Sequence, residues 1–238
     1  MEFSDEGYII RIRKHGEKGL ILTVLSAHNG KIIGYVKNGM SKKYFGICQL
    51  GNKISVNGYT RLEENMYRFQ VDLIKSYAVE FMTDNQKLAA LSSFCELSSA
   101  CMVEKDNLGL FYKRVEGFFN FIHEDNWLAY YTYFEFYLLE YLGIGLDLSE
   151  CAVTGSRENL QYVSPKSGKA VSEEIGKAYQ NRLYRYPHYI MEQRKNPSLE
   201  EIKEVLKLTE FFLNKNFFRI HGLKFPENRA TLLNKLEL

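Results

Sequence analysis

Residues 5–43 read DEGYIIRIRKHGEKGLILTVLSAHNGKIIGYVKNGMSKK, and this stretch decides the fold of the N-terminal part of the chain. Apolar residues alternate with polar ones, or form short β-branched runs, over residues 7–13, 19–26 and 31–37. Turn residues such as His28-Asn29-Gly30 separate the runs. Alternation with a period of two is typical of half-buried strands. The stretch therefore predicts three short β-strands joined by polar turns.

Two further runs of the same kind follow at residues 53–61 and 65–74, with turns predicted at Gly51-Asn52 and at Glu64-Asn65. Five short strands within about 80 residues suit a compact barrel. The five-stranded oligonucleotide/oligosaccharide-binding (OB) barrel is the leading prediction for residues 1–80, and an SH3-like barrel is the alternative.

The charge of this predicted barrel is strongly one-sided. No aspartate or glutamate occurs between Lys18 and Leu62. Residues 1–80 hold 12 basic and 8 acidic side chains, whereas the rest of the chain holds 19 basic and 21 acidic ones. Such an asymmetry indicates contact with a nucleic acid or a membrane surface. The acid-free stretch carries seven cations: Lys18, Lys31, Lys37, Lys42, Lys43, Lys53 and Arg61.

After Glu80 the apolar period changes from two to 3.6, which predicts helices. A capping box of Thr83 and Gln86 opens the first helix, before an apolar stripe that starts at Leu88. A later helix that begins at Asp125 or Asn126 is apolar on nearly every side and is predicted to be buried. Pro197 and the capping box Ser198–Glu201 open the last predicted helix. Residues 81–238 are therefore predicted to form a helical bundle.

The bundle carries a predicted surface insert at residues 151–186. Within it, residues 160–164 and 169–172 flank the turn Pro165-Lys166-Ser167-Gly168, a pattern typical of a β-hairpin. The whole chain is thus predicted to be an α+β protein, with a five-stranded N-terminal barrel followed by a helical bundle that carries a small hairpin.

Several classes of protein are excluded by the sequence. The richest apolar run, from Trp127 to Leu142, is interrupted by Glu135 and Glu140, and is too polar for a membrane span. The first residues lack the pattern of a signal peptide, which favours a cytoplasmic protein. The four cysteines form no Cys-x-x-Cys pair, and the five histidines are scattered. Without a P-loop, a nucleophile elbow or a zinc-protease motif, the chain is predicted not to be an enzyme.

The loop from Lys37 to Lys43 is the strongest candidate for binding a polyanion. Gly39 is expected to let the backbone approach a phosphate, and Ser41 can donate a hydrogen bond to it. The aromatic neighbours Tyr35, Tyr44 and Phe45 could stack on bases, and Tyr44 is preferred over Tyr35, whose strand pattern suits a core residue equally well. A lysine on a strand is most often only solvated, so each assignment competes with that reading. The predicted DNA-binding residues are Arg11, Arg13, Lys14, Lys37, Ser41, Lys42, Lys43, Tyr44, Lys53 and Arg61.

Several segments, in their order along the chain, resemble the bacterial RecO family of recombination and repair mediators. The opening stretch quoted above is similar to the first domain of that family. Residues 134–155 (FEFYLLEYLGIGLDLSECAVTG), 160–171 (LQYVSPKSGKAV) and 218–233 (FRIHGLKFPENRATLL) are similar to parts of the second. The resemblance covers nearly the whole chain.

The resemblance implies a non-enzymatic DNA repair protein of the RecF pathway, with an N-terminal OB barrel and a helical bundle. It implies binding of single- and double-stranded DNA, annealing of complementary strands, and cooperation with RecR in loading RecA on DNA coated with single-strand-binding protein. The apolar, acidic C-terminal tail of that protein is expected to bind the bundle, for which Lys113, Arg114 and Arg182 are available cations. A cytoplasmic, nucleoid-associated location follows. A generic OB-fold RNA- or DNA-binding module without mediator activity is the alternative.

The chain departs from the family at one place. Many members hold a zinc ion in the insert with two Cys-x-x-Cys pairs, but here the first pair reads Cys151-Ala-Val-Thr154, and the second falls near Ser172 and Ile175. Structural zinc requires four nitrogen or sulfur ligands, and only Cys151 supplies one. The sequence therefore predicts that the metal site has been lost and that the protein uses no cofactor.

Overall fold

The computed structural model describes residues 1–62 and 66–236. The N-terminal strands close into a barrel in the order β1-β2-β3-β5-β4, and a one-turn helix joins β3 to β4. The elements are β1 (Glu2–His15), β2 (Gly19–Ser26), β3 (Gly30–Val36), α1 (Lys42–Phe45), β4 (Lys53–Tyr59) and β5 (Tyr67–Lys75). The predicted α+β fold class with a five-stranded N-terminal barrel is confirmed.

The first strand is longer than the predicted run, because it pairs with two neighbours in turn. Its first half, Glu2–Tyr8, pairs with β4, and its second half, Gly7–His15, pairs with β2. A bulge between Ile9 and Arg11 lies where the strand passes from one partner to the other. Bulges bend a strand and increase its twist, which closure of a small barrel requires.

The barrel closes through a short parallel contact between β3 and β5. Gly34 pairs with Tyr67, and Tyr35 pairs with Arg68. A Cβ atom at Gly34 would lie 2.4 Å from the ring of Phe69. The closure therefore requires glycine at this position, because the Phe69 ring occupies the space of a side chain.

The interior of the barrel is a continuous apolar core. The half-buried side chains of Tyr44 and Ile47 pack against it from the segment around α1. Every residue of β2 is buried. The core residues are Ile9, Leu20, Leu22, Val24, Ile32, Val36, Cys48, Ile54, Val56, Phe69 and Val71.

One predicted detail of the barrel differs in the structure, and another is not tested by it. Strand β4 ends at Tyr59, so Arg61 lies in the bend after the strand rather than on it. The Thr60 hydroxyl donates to the carbonyl of Leu62 at 2.7 Å, which turns the chain there. The turn predicted at Glu64-Asn65 lies outside the described residues.

The remaining elements are helices with one small sheet. In chain order they are α2 (Ala78–Met82), α3 (Asn85–Cys101), α4 (Leu110–Asn120), α5 (Trp127–Tyr141), β6 (Asp147–Cys151), β7 (Leu160–Val163), β8 (Lys169–Ser172), α6 (Glu173–Gly176), a 3-10 helix (Lys177–Arg182), β9 (Tyr184–Arg185), α7 (His188–Met191), α8 (Leu199–Leu213), a π-helix (Asn214–Phe218) and α9 (Glu227–Lys235).

By contacts the chain forms two compact units. The first comprises Met1–Tyr112 together with the C-terminal segment that begins at Pro226, and the second comprises Lys113–Phe225. The predicted domain boundary at residue 80 lies close to the change from strands to helices along the chain. The two units are defined by contacts instead, so their boundary falls at another residue. In the first unit, α3 packs against α9, and Glu96 accepts hydrogen bonds from the backbone and the side chain of Asn228.

The start of α3 corrects one prediction. The N-cap is Asp84, whose carboxylate accepts from the backbone N–H groups of Gln86 and Lys87 at 2.7 and 3.2 Å. The Thr83 hydroxyl instead donates backwards to the carbonyl of Glu80. An aspartate one residue later is the better cap because its charge also favours the helix N-terminus. Leu88, predicted on the apolar stripe, is exposed.

The second unit has the predicted buried helix and the predicted capping box. Helix α5 runs from Trp127 to Tyr141, and Ser198 and Glu201 bond each other's backbone N–H groups at the start of α8. Strands β7 and β8 form the predicted antiparallel hairpin. However, the hairpin is part of a four-stranded sheet of order β6-β8-β7-β9, because β6 pairs with β8 and β9 pairs with β7. Among the described residues, no helix has the length and apolarity to cross a membrane.

Candidate nucleic-acid interface

Five lysines gather at one end of the barrel, which we call the basic end: Lys14, Lys18, Lys37, Lys42 and Lys43. Strand register brings them together, because Lys14 pairs with Leu20 and Leu20 pairs with Val36, the residue before Lys37. Neighbouring strands lie about 4.8 Å apart, so Lys14 and Val36 are separated by roughly 10 Å. All five lysines are exposed, and none forms an ion pair within the described part of the chain.

The backbone joins the two loops of the basic end. The N–H of Met40 donates to the carbonyl of Lys18 at 3.1 Å, and the N–H of Ser41 donates to the carbonyl of Asn38 at 2.9 Å. The Ser41 side chain makes no capping bond to α1, which leaves its hydroxyl available to a phosphate. The only acidic side chain in either loop is that of Glu17.

Gly39 has a packing role that the sequence does not predict. It is buried, and a Cβ atom there would lie 2.9 Å from the Leu20 side chain. The missing side chain lets the loop pack down on the barrel. The expected approach of this backbone to a phosphate stays a prediction.

Beside the basic end, the outer face of β1, β2 and β3 presents two arginines. Arg11 pairs with Thr23 and Arg13 pairs with Ile21, so both arginines point to one face, as their alternation with Ile10 and Ile12 predicts. Both are exposed.

On β3, Tyr35 pairs with Ile21, the residue that also pairs with Arg13, so Tyr35 lies on the same face as Arg13. The Tyr35 ring centroid lies 5.5 Å from that of His15. Tyr35 also pairs across the closure with Arg68 of β5. Arg68 is exposed and is missing from the predicted site. Its position between the apolar Tyr67 and Phe69 marks it as outward-facing, but only the β3–β5 pairing shows that it adjoins Tyr35.

Arg68 also lines an open groove on the barrel surface, of about 730 Å³. The groove is lined by polar and aromatic side chains suited to contact an oligonucleotide, and also by the acidic side chain of Glu2. The lining residues are Glu2, Phe3, Ser4, Asn57, Gly58, Tyr59, Arg68 and Gln70.

Two lysines of the acid-free stretch form contacts within the protein, away from the basic end. The Lys53 ammonium lies 2.6 Å from the Glu6 carboxylate, and its side chain is only 15% exposed. The Lys31 ammonium donates to the carbonyl of Ser99 at 3.0 Å, and burial lowers the pKa of this lysine. Arg61 is exposed in its bend and remains available.

The two aromatic residues next to the lysines differ in exposure. Tyr44 is half-buried against the barrel core, and the Lys43 ammonium lies 5.2 Å from its ring centroid. The side chain of Phe45 is 75% exposed.

The second unit contains a separate aromatic groove of about 320 Å³. The rings of Phe121 and Tyr130 stack in its wall with centroids 4.2 Å apart. Two of the three cations predicted for a partner peptide, Lys113 and Arg114, line it, and Arg182 does not. The lining residues are Lys113, Arg114, Gly117, Phe121, Tyr130, Tyr133, Gln193 and Lys195.

The residues at the expected zinc position do not fit the metal. The Sγ atom of Cys151 is buried, accepts from the N–H of Ser172 at 3.3 Å and lies 3.5 Å from its hydroxyl. Burial would raise the pKa of the thiol, but hydrogen bonds from Ser172 and Thr154 lower it to about 6. One thiolate with two hydroxyl groups is not a zinc ligand set. Among residues 1–62 and 66–236, no cluster of three or more His, Cys, Asp or Glu side chains has metal-binding geometry.

Comparison with known proteins covers almost the entire chain. Residues 1–77 match the family model described as "Recombination protein O N terminal", and residues 82–225 match "Recombination protein O C terminal". The DNA repair protein RecO of Wolbachia pipientis wMel is 35% identical over 243 residues, covering 98% of this chain and 100% of the relative. The protein of the same name from Bartonella bacilliformis is 34% identical over 239 residues, covering 100% and 97% respectively.

Proposed function

Because the chain belongs to the RecO family of DNA repair proteins, which are not enzymes, we propose that it is a recombination mediator that binds single- and double-stranded DNA and anneals complementary strands. The basic end is the single observation that carries the DNA-binding step. Five exposed lysines, which form no ion pair among the described residues, lie beside Arg11 and Arg13, and Glu17 is the one acidic residue in the two loops.

The chemistry of this surface suits phosphate neutralisation. Each phosphate that a lysine or arginine neutralises releases condensed counterions, which provides affinity independently of sequence. Contacts to the phosphates leave the base edges free to pair with a second strand. Annealing makes and breaks no covalent bond, so the protein needs only to hold one strand and screen its repulsion from the other.

A salt titration tests the proposal. With four to six phosphate contacts, the logarithm of the affinity for single-stranded DNA should fall against the logarithm of the salt concentration with a slope of roughly −3 to −4. The triple variant Lys37→Ala/Lys42→Ala/Lys43→Ala should bind more weakly and reduce the slope by about 2. Three exposed lysines that belong to no strand or loop of the barrel provide the matched control Lys177→Ala/Lys224→Ala/Lys235→Ala, which should leave the slope unchanged.

Strand annealing separates a mediator from a generic OB-fold binding module. The protein should accelerate pairing of complementary strands without nucleotide or metal ion, and the triple lysine variant should not. Salt-dependent binding without any acceleration would support the generic module instead. Divalent-ion-dependent cleavage of the strands would contradict both.

The proposal includes protein partners. The groove of the second unit combines stacked aromatic walls with Lys113, Arg114 and Lys195, which suits a peptide that is both apolar and acidic. We propose that it receives the C-terminal tail of single-strand-binding protein, and that the protein works with RecR to load RecA in the cytoplasm at the nucleoid. Only the charge and the aromatic lining of the groove support the tail assignment.

We also propose that the insert folds without a metal ion. Hydrogen bonds from Ser172 and Thr154 hold the Cys151 sulfur, and the β6-β8-β7-β9 sheet orders the surrounding chain. Elemental analysis of the purified protein should find no zinc above background, and a chelator should leave its melting temperature unchanged. About one tightly held zinc ion per chain would contradict this proposal.

A further inference from the structure

We propose that Phe45 is a base-stacking residue that makes the basic end prefer single-stranded over duplex DNA. The inference rests on the proposed DNA-binding function and adds to it a contact that distinguishes the two forms of the ligand. It departs from the expectation that Tyr44 stacks on bases.

The exposure of Phe45 is unusual for its residue type. Its side chain is 75% exposed, whereas the neighbouring Tyr44 packs half-buried against the barrel core. Single apolar side chains on a surface are common and need no special explanation. Phe45 differs from such cases in its charged surroundings and in its fixed backbone.

The surroundings of Phe45 are cationic. Lys42 and Phe45 are three residues apart in α1 and therefore lie on the same side of that helical turn. Lys43 lies between them in sequence, and Met40, also exposed, precedes them in the same loop. Lysines that hold a phosphate beside an aromatic ring that meets a base are the usual combination in single-strand binding surfaces.

The backbone that carries Phe45 is held in place. Its carbonyl accepts a hydrogen bond from the Gln49 side chain at 2.6 Å. The next two carbonyls, of Gly46 and Ile47, accept from the buried side chain of Asn52 at 2.9 and 3.1 Å. The oxygen of the same Asn52 amide accepts from the backbone N–H groups of Tyr77 and Ala78, both at 3.1 Å.

A ring on a fixed backbone loses little conformational entropy on binding, which is the advantage of preorganisation. An unstacked strand presents both faces of each base, and a ring can stack on any of them. In a duplex the internal bases already stack on one another, so Phe45 has no face to contact. The Phe45 contact is therefore available to the separated strands of an annealing reaction and absent from its duplex product.

Affinity for two DNA forms tests the inference. Phe45→Ala should lower affinity for a dT oligonucleotide by about tenfold and leave affinity for a duplex of the same length unchanged. Its salt slope should equal that of the wild type, because no charge is removed. Phe45→Tyr and Phe45→Trp should retain binding, whereas Phe45→Leu, which is apolar without a ring, should behave as Phe45→Ala.

A spectroscopic signal distinguishes stacking from simple proximity. The chain has one tryptophan, and Trp127 is buried. In the Phe45→Trp variant, addition of dT should quench the new fluorescence beyond the change seen in the wild type. Tyr179→Ala, which removes a side chain of the second unit that is 58% exposed, is the matched control and should change neither affinity.

The outcomes separate this inference from the function on which it rests. Wild-type protein that fails to bind either DNA form would contradict the proposed function. Wild-type protein that binds with the expected salt slope, while Phe45→Ala binds single strands equally well, would overturn only the stacking role. Equal losses for single strands and duplex would also overturn it. Unchanged thermal unfolding of Phe45→Ala shows that the variant is folded.

Discussion

The carboxylate of Asp5 lies at the centre of a dense hydrogen-bond network in the barrel. Its side chain is fully buried, and it accepts hydrogen bonds from the hydroxyl of Ser26, from the backbone N–H groups of Glu6, His28 and Asn29, and from the Asn29 amide. The imidazole Nδ1 of His28 lies 2.9 Å away. One carboxylate thus fixes the whole turn between β2 and β3.

This arrangement predicts a loss of stability in acid. Burial alone would raise the pKa of Asp5, but its hydrogen bonds lower it to about 2, from 3.8 in the unfolded chain. The carboxylate therefore contributes about 2 kcal/mol above pH 4, and this contribution disappears as the pH falls from about 4 to about 2. Chemical denaturation of wild-type protein and of Asp5→Asn across this range measures it.

The Asp5→Asn variant should be less stable than wild type near neutral pH, with a smaller difference at pH 2. Asp72→Asn, at an exposed carboxylate on β5, is the control and should follow the wild-type curve. An equal loss of stability between pH 4 and pH 2 in wild type and in Asp5→Asn would contradict this role of Asp5.

At the level of single residues, the sequence shows which side chains are charged. It does not show which of them are free to bind a ligand. Four of the five lysines of the basic end lie in the acid-free stretch, and all five are exposed. Lys53 belongs to the same acid-free stretch, yet it meets Glu6 because β1 and β4 are adjacent. That partner is 47 residues away in sequence, so only the strand order reveals the pair.

Closure of the barrel depends on a single glycine at the parallel contact between β3 and β5. A methyl group at Gly34 would collide with the Phe69 ring at 2.4 Å, and Phe69 is itself in the core. Gly34→Ala should therefore lower the free energy of unfolding by about 1–3 kcal/mol. Denaturant titration measures the loss.

A second glycine provides a control for this prediction. Gly46, at φ −81° after α1, has open space around the position of a Cβ atom. Gly46→Ala should be neutral or slightly stabilising, because alanine restricts the unfolded chain. A Gly34→Ala protein as stable as Gly46→Ala would show that the ring of Phe69 can move aside.

The N-terminus of α3 offers a test of the corrected cap. Asp84→Ala should destabilise the protein by about 1 kcal/mol, because two backbone N–H groups lose their acceptor. Thr83→Ala removes only an exposed hydroxyl bond and should have a smaller effect. Thermal unfolding of the two variants compares them, and the reverse order would restore Thr83 as the cap.

Local sequence patterns predict several elements well. The five strands, the buried helix α5 and the capping box of α8 all follow from local patterns. Local patterns do not predict which strands pair, and for that reason the four-stranded sheet around the insert appears in sequence as a simple hairpin. Gly39 illustrates the same limit, since its neighbour Leu20 is distant in sequence.

Across the whole molecule, the two proposed binding surfaces belong to different units and should be separable by mutation. Arg114→Ala should weaken binding of a fluorescent peptide that carries the C-terminal tail of single-strand-binding protein, because the variant removes a cation from the aromatic groove. Its affinity for DNA and its salt slope should stay at wild-type values.

Titration of the labelled peptide and of DNA measures the two affinities independently. Arg157→Ala, at an exposed arginine outside the groove lining, is the matched control and should change neither. Unaltered peptide affinity in Arg114→Ala and in Lys113→Ala would place the tail elsewhere on the protein.

The pairing of α3 with α9 also affects the order in which a newly made chain can fold. A ribosome releases the barrel strands early, but the helix that completes the first unit begins only at Glu227. Domains generally fold from the N-terminus during synthesis. Here the face of α3 that α9 covers must wait, exposed to chaperones and proteases, until α9 has been synthesised. A premature stop codon shortly before residue 226 would therefore damage the unit that is made first.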